Sequence, residues 1–354
     1  MGYQKILITG GAGFVGSAMA LGLKKQYPDA RVTALDNLKR RGSELNLPRF
    51  KQAQVDFVHG DIRSPEDLDA SALQPDLIVE CSAEPSVLAG YSSPGYVLQT
   101  NLVGTINCLE LARQTQSDFV FFSTSRVYPI APLKKLAYKE TESRFELEDQ
   151  SVAGASRAGI AEDFDLSGAR SLYGATKLAS ELLITEYAEA YNLRAIINRC
   201  GVLTGPWQMG KADQGVFALW MLAHYFERPL KYIGFGGSGK QVRDFLHIDD
   251  LVDLVFLQLN QLDSIKGNIF NVGGGLKNSL SLLETTRLCE QIAGKQIQIA
   301  PSKEERSGDI PIFITDSRKI ETQLGWQPQK DAKQTLSDIY QWISAEASTL
   351  ELIL

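Results

Sequence analysis

Tyr173-Gly174-Ala175-Thr176-Lys177 places a phenol and an ammonium four residues apart. On a helix, positions four apart share a face. A nearby ammonium stabilises a phenolate and so lowers the pKa of the phenol. Such a tyrosine can take a proton from a hydroxyl while hydride leaves the same carbon. A second group of hydroxyls, Ser123-Thr124-Ser125, follows the apolar run at Phe119–Ser123 and leads into Arg126-Val127-Tyr128. Strand C-termini are where open α/β sheets bind ligands. A hydroxyl placed there can share the reacting proton and orient a substrate.

Hydride chemistry needs a carrier, and the N-terminus supplies the pattern for one. Ile6-Leu7-Ile8-Thr9 runs into Gly10, Gly13 and Gly16, and Leu35-Asp36 follows about twenty residues on. An apolar strand, glycines at three-residue spacing, a helix and a distal acid form the dinucleotide-binding pattern in its required context. The glycines permit a tight turn, close approach of a pyrophosphate and packing of helix on strand. The helix N-terminus adds free N–H groups and a positive dipole end. Asp36 can accept both ribose hydroxyls and repels a 2′-phosphate, which favours NAD over NADP. Lys39, Arg40 and Arg41 read as the competing 2′-phosphate clamp, but Asp36 sits nearer the ribose.

The elements that must position these groups alternate along the first half of the chain. Strands are predicted at 5–9, 31–36, 56–59, 77–81, 119–123 and 194–199, several of them continuous apolar runs, as in strands buried on both faces. Helices are clearest at 101–115 and 171–191. The pattern predicts an α/β chain, a Rossmann-type doubly wound parallel sheet, with a smaller C-terminal α/β lobe for substrate. The cofactor domain is assigned to residues 1–201 and the second lobe to 202–354, with some chain returning to the first. Residues 129–168 break the rhythm with Glu140, Glu142, Glu146, Glu148, Asp149, Glu162 and Asp163. That stretch reads as a long loop, functional or mobile on one view and a solvated excursion on the other.

Composition narrows the classes. The 354 residues carry 36 basic and 42 acidic side chains, a net charge of −6, which disfavours a nucleic-acid or anionic-membrane surface. No segment has the length of a membrane span or the build of a signal peptide. Cys81, Cys108, Cys200 and Cys289 are scattered and only three histidines are present, so neither a metal site nor a disulfide framework is expected. The expected setting is reducing and cytoplasmic.

With these motifs in place, the chain resembles, over essentially its whole length, the extended short-chain dehydrogenase/reductases of the NAD-dependent nucleotide-sugar epimerase/dehydratase family. Thr9–Gly16 resembles that family's cofactor turn, Gly60-Asp61-Ile62 its adenine-contacting segment, and Asn101-Leu102-Val103-Gly104-Thr105 its helix start. Gln241–His247 is similar to the segment whose arginine grips the substrate diphosphate. Arg306-Ser307-Gly308-Asp309 and Leu324–Pro328 resemble its C-terminal markers. The resemblance implies a catalytic set of Thr124, Tyr173 and Lys177. It implies NAD contacts from Gly10, Gly13, Phe14, Val15, Gly16, Asp36, Asn37, Asp61, Ile62, Ser82, Ala83, Asn101, Tyr173 and Lys177. Substrate contacts are implied for Ser125, Arg126, Gln214, Arg243 and Arg306, along with a homodimer and a place in surface-polysaccharide synthesis.

Within the family, Asp36–Gly42, Phe57–Arg63, Gly239–Asp244 and Asn278–Glu284 resemble the group of CDP-paratose 2-epimerases. That likeness implies a CDP-sugar substrate inverted at C2. The alternatives are a UDP-hexose or UDP-glucuronate 4-epimerase and, in another class, a non-catalytic NAD-binding sensor or scaffold. Dehydratases of the family resemble Thr-Asp-Glu after the strand, and their acids expel a hydroxyl. Here Ser125 and Arg126 stand in those places, so dehydration is disfavoured. Three departures stand out: Cys81-Ser82-Ala83-Glu84 where a histidine often ends the fourth strand, Val202 at a common asparagine position, and Pro129 in place of glycine. His247 is expected to be a structural hydrogen-bonding residue, because Tyr173 already fills the proton-transfer role.

Overall fold

The computed structural model describes residues 2–210, 215–305 and 308–353. The chain divides into two compact units that interleave in sequence. One comprises Met1–Thr124, Ser171–Arg199 and Leu251–Ile269, and the other Ser125–Arg170, Cys200–Asp250 and Phe270–Leu354. Residues 125–170 thus belong with the second unit although they precede residue 202, and 251–269 return to the first.

Most of a seven-stranded parallel sheet belongs to the first unit. Its strands are β1 (Lys5–Thr9), β2 (Arg31–Asp36), β3 (Asp56–His59), β4 (Leu77–Glu80), β5 (Asp118–Thr124), β6 (Ala195–Cys200) and β7 (Ile269–Val272). Their order across the sheet is β7-β6-β5-β4-β1-β2-β3. The order reverses between β1 and β4, which opens the crevice where such sheets take ligands. Every residue of β4, β5 and β6 is buried, because helices cover both faces. Helix α1 (Phe14–Gln26) follows β1, α2 (Gly104–Thr115) precedes β5, and α3 (Leu172–Tyr191) precedes β6. Leu7, Leu35, Ile78, Leu109, Phe119, Phe121, Ile184 and Ile197 form one core between them.

Two helix starts differ from simple periodicity in instructive ways. The 101–115 helix begins as a π-helical turn, Gln99–Val103, before α2 proper. Such bulges displace side chains and cluster at functional sites. Helix α3 has Ser171 as N-cap, its Oγ accepting the Gly174 N–H at 3.2 Å.

The second unit holds a smaller mixed sheet in which Val242–His247 pairs with Val202–Thr204, Ser279–Ser281 and Ile312–Phe313. Phe217, Trp220, Phe245, Leu336, Ile339 and Trp342 pack its helices together. The acidic 129–168 segment is ordered within this unit and is not a solvated loop. It contains a helix at Ile130–Lys134 and two hairpins, Tyr138–Glu140 with Phe145–Leu147 and Ala155–Ser156 with Gly159–Ile160. Phe145, Leu147, Ile160 and Phe164 are buried. The Arg144 guanidinium donates to the Ser279 carbonyl and hydroxyl at 3.2 and 2.6 Å. Four apolar anchors and one arginine tie down the segment, and Glu162 adds a bond by accepting the Asn271 N–H at 2.6 Å.

Among the described residues no helix is long and apolar enough to cross a membrane, and no group of histidine, cysteine and acid side chains could hold a metal ion.

Candidate active site

The glycine turn is compact because only glycine fits it. A Cβ on Gly16 would lie 2.1 Å from the Gly10 carbonyl oxygen, and one on Gly10 (φ +61°) would lie 2.7 Å from the Ser82 nitrogen. The segment after β4, with Ser82 and Ala83, is thereby brought against the turn. Asn101 fixes that segment. Its Nδ2 donates to the Glu84 carbonyl at 3.1 Å, and its Oδ1 accepts the Glu84 N–H at 2.7 Å. The same Nδ2 reaches Thr176 Oγ1 at 3.4 Å, linking this segment to α3.

Asp36, at the end of β2, accepts backbone N–H bonds from Ala12 at 3.1 Å and Leu38 at 2.7 Å. Burial pushes its pKa up, and those N–H groups oppose the shift. Asn37 donates to Asp61 at 2.9 Å, and Arg63 clamps the same carboxylate from Nε at 2.9 Å. The Arg63 hydrogen bond holds Asp61 well below the usual carboxylate range. Ile62 is buried beneath Gly104, where a Cβ would meet its side chain at 2.4 Å. Lys39 stacks its ammonium on Tyr96, 3.3 Å from the ring centroid. That contact, together with half-buried Arg40 and exposed Arg41, makes one rim of the site basic.

The reacting groups expected from the sequence lie on β5 and on α3, whose Lys177 packs on the β5 residue Phe121. Thr124 ends β5 and is buried. Tyr173, in the first turn of α3, is half-buried, and Lys177, one turn later, is 2% exposed. The Lys177 ammonium stands over the Phe121 ring at 4.2 Å from its centroid. One further turn along, Glu181 is buried and paired with Arg199 at 2.7 Å. Ser123, beside Thr124, donates to the same Glu181 carboxylate. Helix α3 is therefore pinned to β5 and β6 by a buried polar network that sequence patterning did not single out. The residue that ends β4 is Glu80, one short of the Cys81 end expected from the sequence; it is fully buried with its Oε1 2.9 Å from the Thr105 hydroxyl. An acid closing the apolar run Leu-Ile-Val-Glu was the available signal.

Within the second unit, Arg126 and Arg243 line one cavity of about 440 Å³, with Lys231, Gln241, Asp309 and an apolar wall that includes Phe217, Trp220 and Leu280. Arg243 Nη2 donates to Asp309 at 2.7 Å and to the Ile310 carbonyl at 2.7 Å. Burial and the neighbouring Arg126 charge lower the Arg243 pKa, while Asp309 opposes the shift. Ser125 is half-buried at the start of this unit. Gln214 and Arg306 lie outside the described residues. His247 is buried, its Nδ1 accepting the Asp249 N–H at 3.0 Å, as a structural histidine would.

Comparison with known proteins places this geometry. Residues 6–273 match the NAD dependent epimerase/dehydratase family. The chain is 33% identical over 350 residues to the CDP-paratose 2-epimerase of Salmonella typhi, covering 97% of this chain and 100% of that one. Its structure is similar to that of the UDP-glucuronic acid 4-epimerase of Bacillus cereus, solved with UDP-glucuronic acid and NAD (TM-score 0.79, 25% identity, 97% and 99% of the two chains). It is similar also to the dTDP-glucose 4,6-dehydratase DesIV of Streptomyces venezuelae, solved with NAD bound (TM-score 0.77, 28% identity, 99% and 100%). The chain belongs to the NAD-dependent epimerase/dehydratase family. It is an enzyme of the class that acts on nucleotide sugars, with NAD as cofactor.

The residues present fit that cofactor. Helix α1 begins at Gly13 without a side-chain cap or an acid in its first turn, so its first N–H groups point at a place suited to a pyrophosphate. A Cβ at Gly13 would stand clear of everything but the Gly10 oxygen at 3.1 Å, which marks an open cradle above the turn.

Proposed function

We propose that this enzyme is a nucleotide-sugar epimerase that inverts one sugar carbon by transient oxidation, with CDP-paratose inverted at C2 as the substrate and position. The observation that carries epimerisation over dehydration is the pair Ser125-Arg126 directly after Thr124. No acid follows the strand to protonate a leaving hydroxyl. The CDP-sugar assignment is supported by the relative of 33% identity and by the sequence stretches shared with that group.

In this reading Tyr173 accepts the proton of the reacting hydroxyl, with the Lys177 ammonium stabilising its phenolate. Thr124 donates to or accepts from the same oxygen and fixes its direction. NAD, when bound, would supply the hydride acceptor for the oxidation and the hydride donor for the return step. Lys177 also holds the nicotinamide ribose, and Asp36 the adenosine ribose. Gly10, Gly13 and Gly16 leave room for the pyrophosphate, which meets the first N–H groups of α1, and Asp61 and Ile62 border the adenine. Arg126 and Arg243 face the substrate diphosphate, because two guanidinium groups and Lys231 outweigh Asp309 in their cavity. Gln214 and Arg306 are assigned to the same substrate by family likeness. A homodimer is part of the reading: Leu182 on α3 is 63% exposed, and Leu88 in a turn, Tyr91 in the helix Ala89–Ser92 and Leu98 at the end of the helix Pro94–Leu98 are exposed too.

The test is proton NMR of the purified protein with CDP-paratose, UDP-glucose and UDP-glucuronate, each without added cofactor. Conversion of CDP-paratose to its C2 epimer is the expected result. Conversion at C4 of a UDP sugar alone would replace the substrate assignment. Inertness towards all three, with NAD retained, would favour a sensor or scaffold.

A further inference from the structure

None of the roles above uses Glu80, although it ends β4 beside the strand that carries Thr124. Glu80 pairs in register with Thr9 of β1 and Phe121 of β5. Residues paired across a sheet project from the same face, so Glu80 and Phe121 point towards the same layer. Lys177 stands over that Phe121 ring. A buried carboxylate is normally wrapped in donors. Glu80 is not, since its Oε2 has no hydrogen-bond partner and Oε1 meets only the Thr105 hydroxyl at 2.9 Å.

The proton count at Thr105 is informative. Its Oγ1 lies 2.9 Å from Glu80 Oε1 and 2.9 Å from the Asn101 carbonyl oxygen, one turn back. A hydroxyl has one proton to donate. When that proton goes to Asn101, the contact with Glu80 is a hydrogen bond only if Glu80 is protonated and donates to Thr105. When Thr105 donates to Glu80, the carboxylate is ionised and is favoured by the Lys177 charge. Both charge states fit the same heavy-atom positions.

We propose that Glu80 is a positioning residue for Lys177. Ionised, it holds the ammonium charged and in place over Phe121. Neutral, it donates to Thr105 and that hold is released. The groups facing it are Thr9 on β1, Thr105 and Cys108 on α2, and Lys177 on α3. The Cys108 thiol is pushed up by burial and by Glu80 itself, so it stays neutral. Burial raises Glu80 to about 7, with Lys177 and Thr105 acting in the opposite direction. The hold therefore strengthens across neutral pH.

The inference rests on the role proposed for Lys177 at the nicotinamide ribose, and its test needs no sugar. NADH binding, followed by fluorescence, is compared in wild type and E80Q after thermal melts establish that both are folded. At about pH 6, where both side chains are neutral, the dissociation constants should agree within about twofold. At about pH 8.5, E80Q should bind about tenfold more weakly, the equivalent of one lost pK unit of coupling. E80D should recover part of the difference. An offset that does not change with pH, or none, overturns the proposal. Infrared pH-difference spectra supply a measurement that survives failure of E80Q to fold. A protonated-carboxyl band should titrate near neutral pH in wild type, and its midpoint should rise in K177M. An unmoved midpoint in K177M likewise overturns the proposal. If these shifts appear while no sugar is turned over, the substrate assignment fails and the coupling stands.

Discussion

Arg199 lays its guanidinium along the Glu181 carboxylate, with Nε 3.1 Å from both oxygens and Nη2 2.7 Å from one. Both side chains are almost fully buried, at 4% and 2% exposure. Glu181 follows Lys177 by one helical turn, so this pair sets the height of α3 against β5 and β6. Removing one partner leaves a buried charge uncompensated, which typically costs about 3–5 kcal/mol. E181Q should therefore lower the melting temperature sharply, and the double variant E181L/R199M should recover much of the loss. Calorimetric melts of the three proteins check this. Equal destabilisation in the single and double variants would show that the pair is not the anchor.

Tyr173→Phe removes the phenol that the proposed mechanism uses as proton acceptor and keeps the ring. Turnover should fall by about 10²–10⁴-fold, the usual contribution of a positioned general base. Bound NAD should be retained, since the glycine turn is untouched. Comparing the NAD content of the purified variant with its NMR turnover separates the two effects.

Gly16→Ala forces a methyl group to within 2.1 Å of the Gly10 carbonyl oxygen, a backbone atom that cannot swing away. The turn must open, at a cost of about 1–3 kcal/mol. NAD affinity should fall together with stability. NADH titration and thermal melts should move in the same direction, and an unchanged affinity would mean that the turn tolerates a side chain.

The buried Glu80 carboxyl has a defined signature in stability against pH. Its folded-state pKa of about 7 lies above its ordinary value of 4.5. The folded protein thus binds this proton more tightly than the unfolded chain, and stability falls as pH rises from the ordinary value to the folded one. E80Q cannot ionise and escapes that loss. Relative to wild type, it should gain stability between about pH 4.5 and 7 and hold a constant difference above that. Denaturant midpoints across this range provide the measurement. A difference that does not change with pH would mean that Glu80 titrates in the folded protein at its ordinary value.

Much of the first unit was legible because its signals are local. The strands at 5–9, 31–36 and 56–59 lie where apolar runs and turn residues put them. The Ser171–Tyr191 helix was readable from periodicity, and Ser171 proved to be its cap. The fourth strand was read one residue long, through Cys81, which hid the fact that it ends on a buried acid. The order within the 129–168 segment is not legible in the sequence, because Phe145, Leu147, Ile160 and Phe164 are spread among acids without a single period. Their shared burial is a property of the fold, invisible to a local window.

The sequence by itself determined the chemistry that depends on near neighbours along the chain. A strand, glycines and a helix define a pyrophosphate cradle, and four-residue spacing puts Tyr173 and Lys177 on one face of α3. Tertiary structure alone decided which charges are buried together. Glu80 stands opposite Phe121 in the sheet and Lys177 lies over that ring, 97 positions apart in the chain, and Arg199 is joined to Glu181 from the next strand. Desolvation and long-range pairing exist only once sheet and helices have closed over these groups, so no local pattern encodes them.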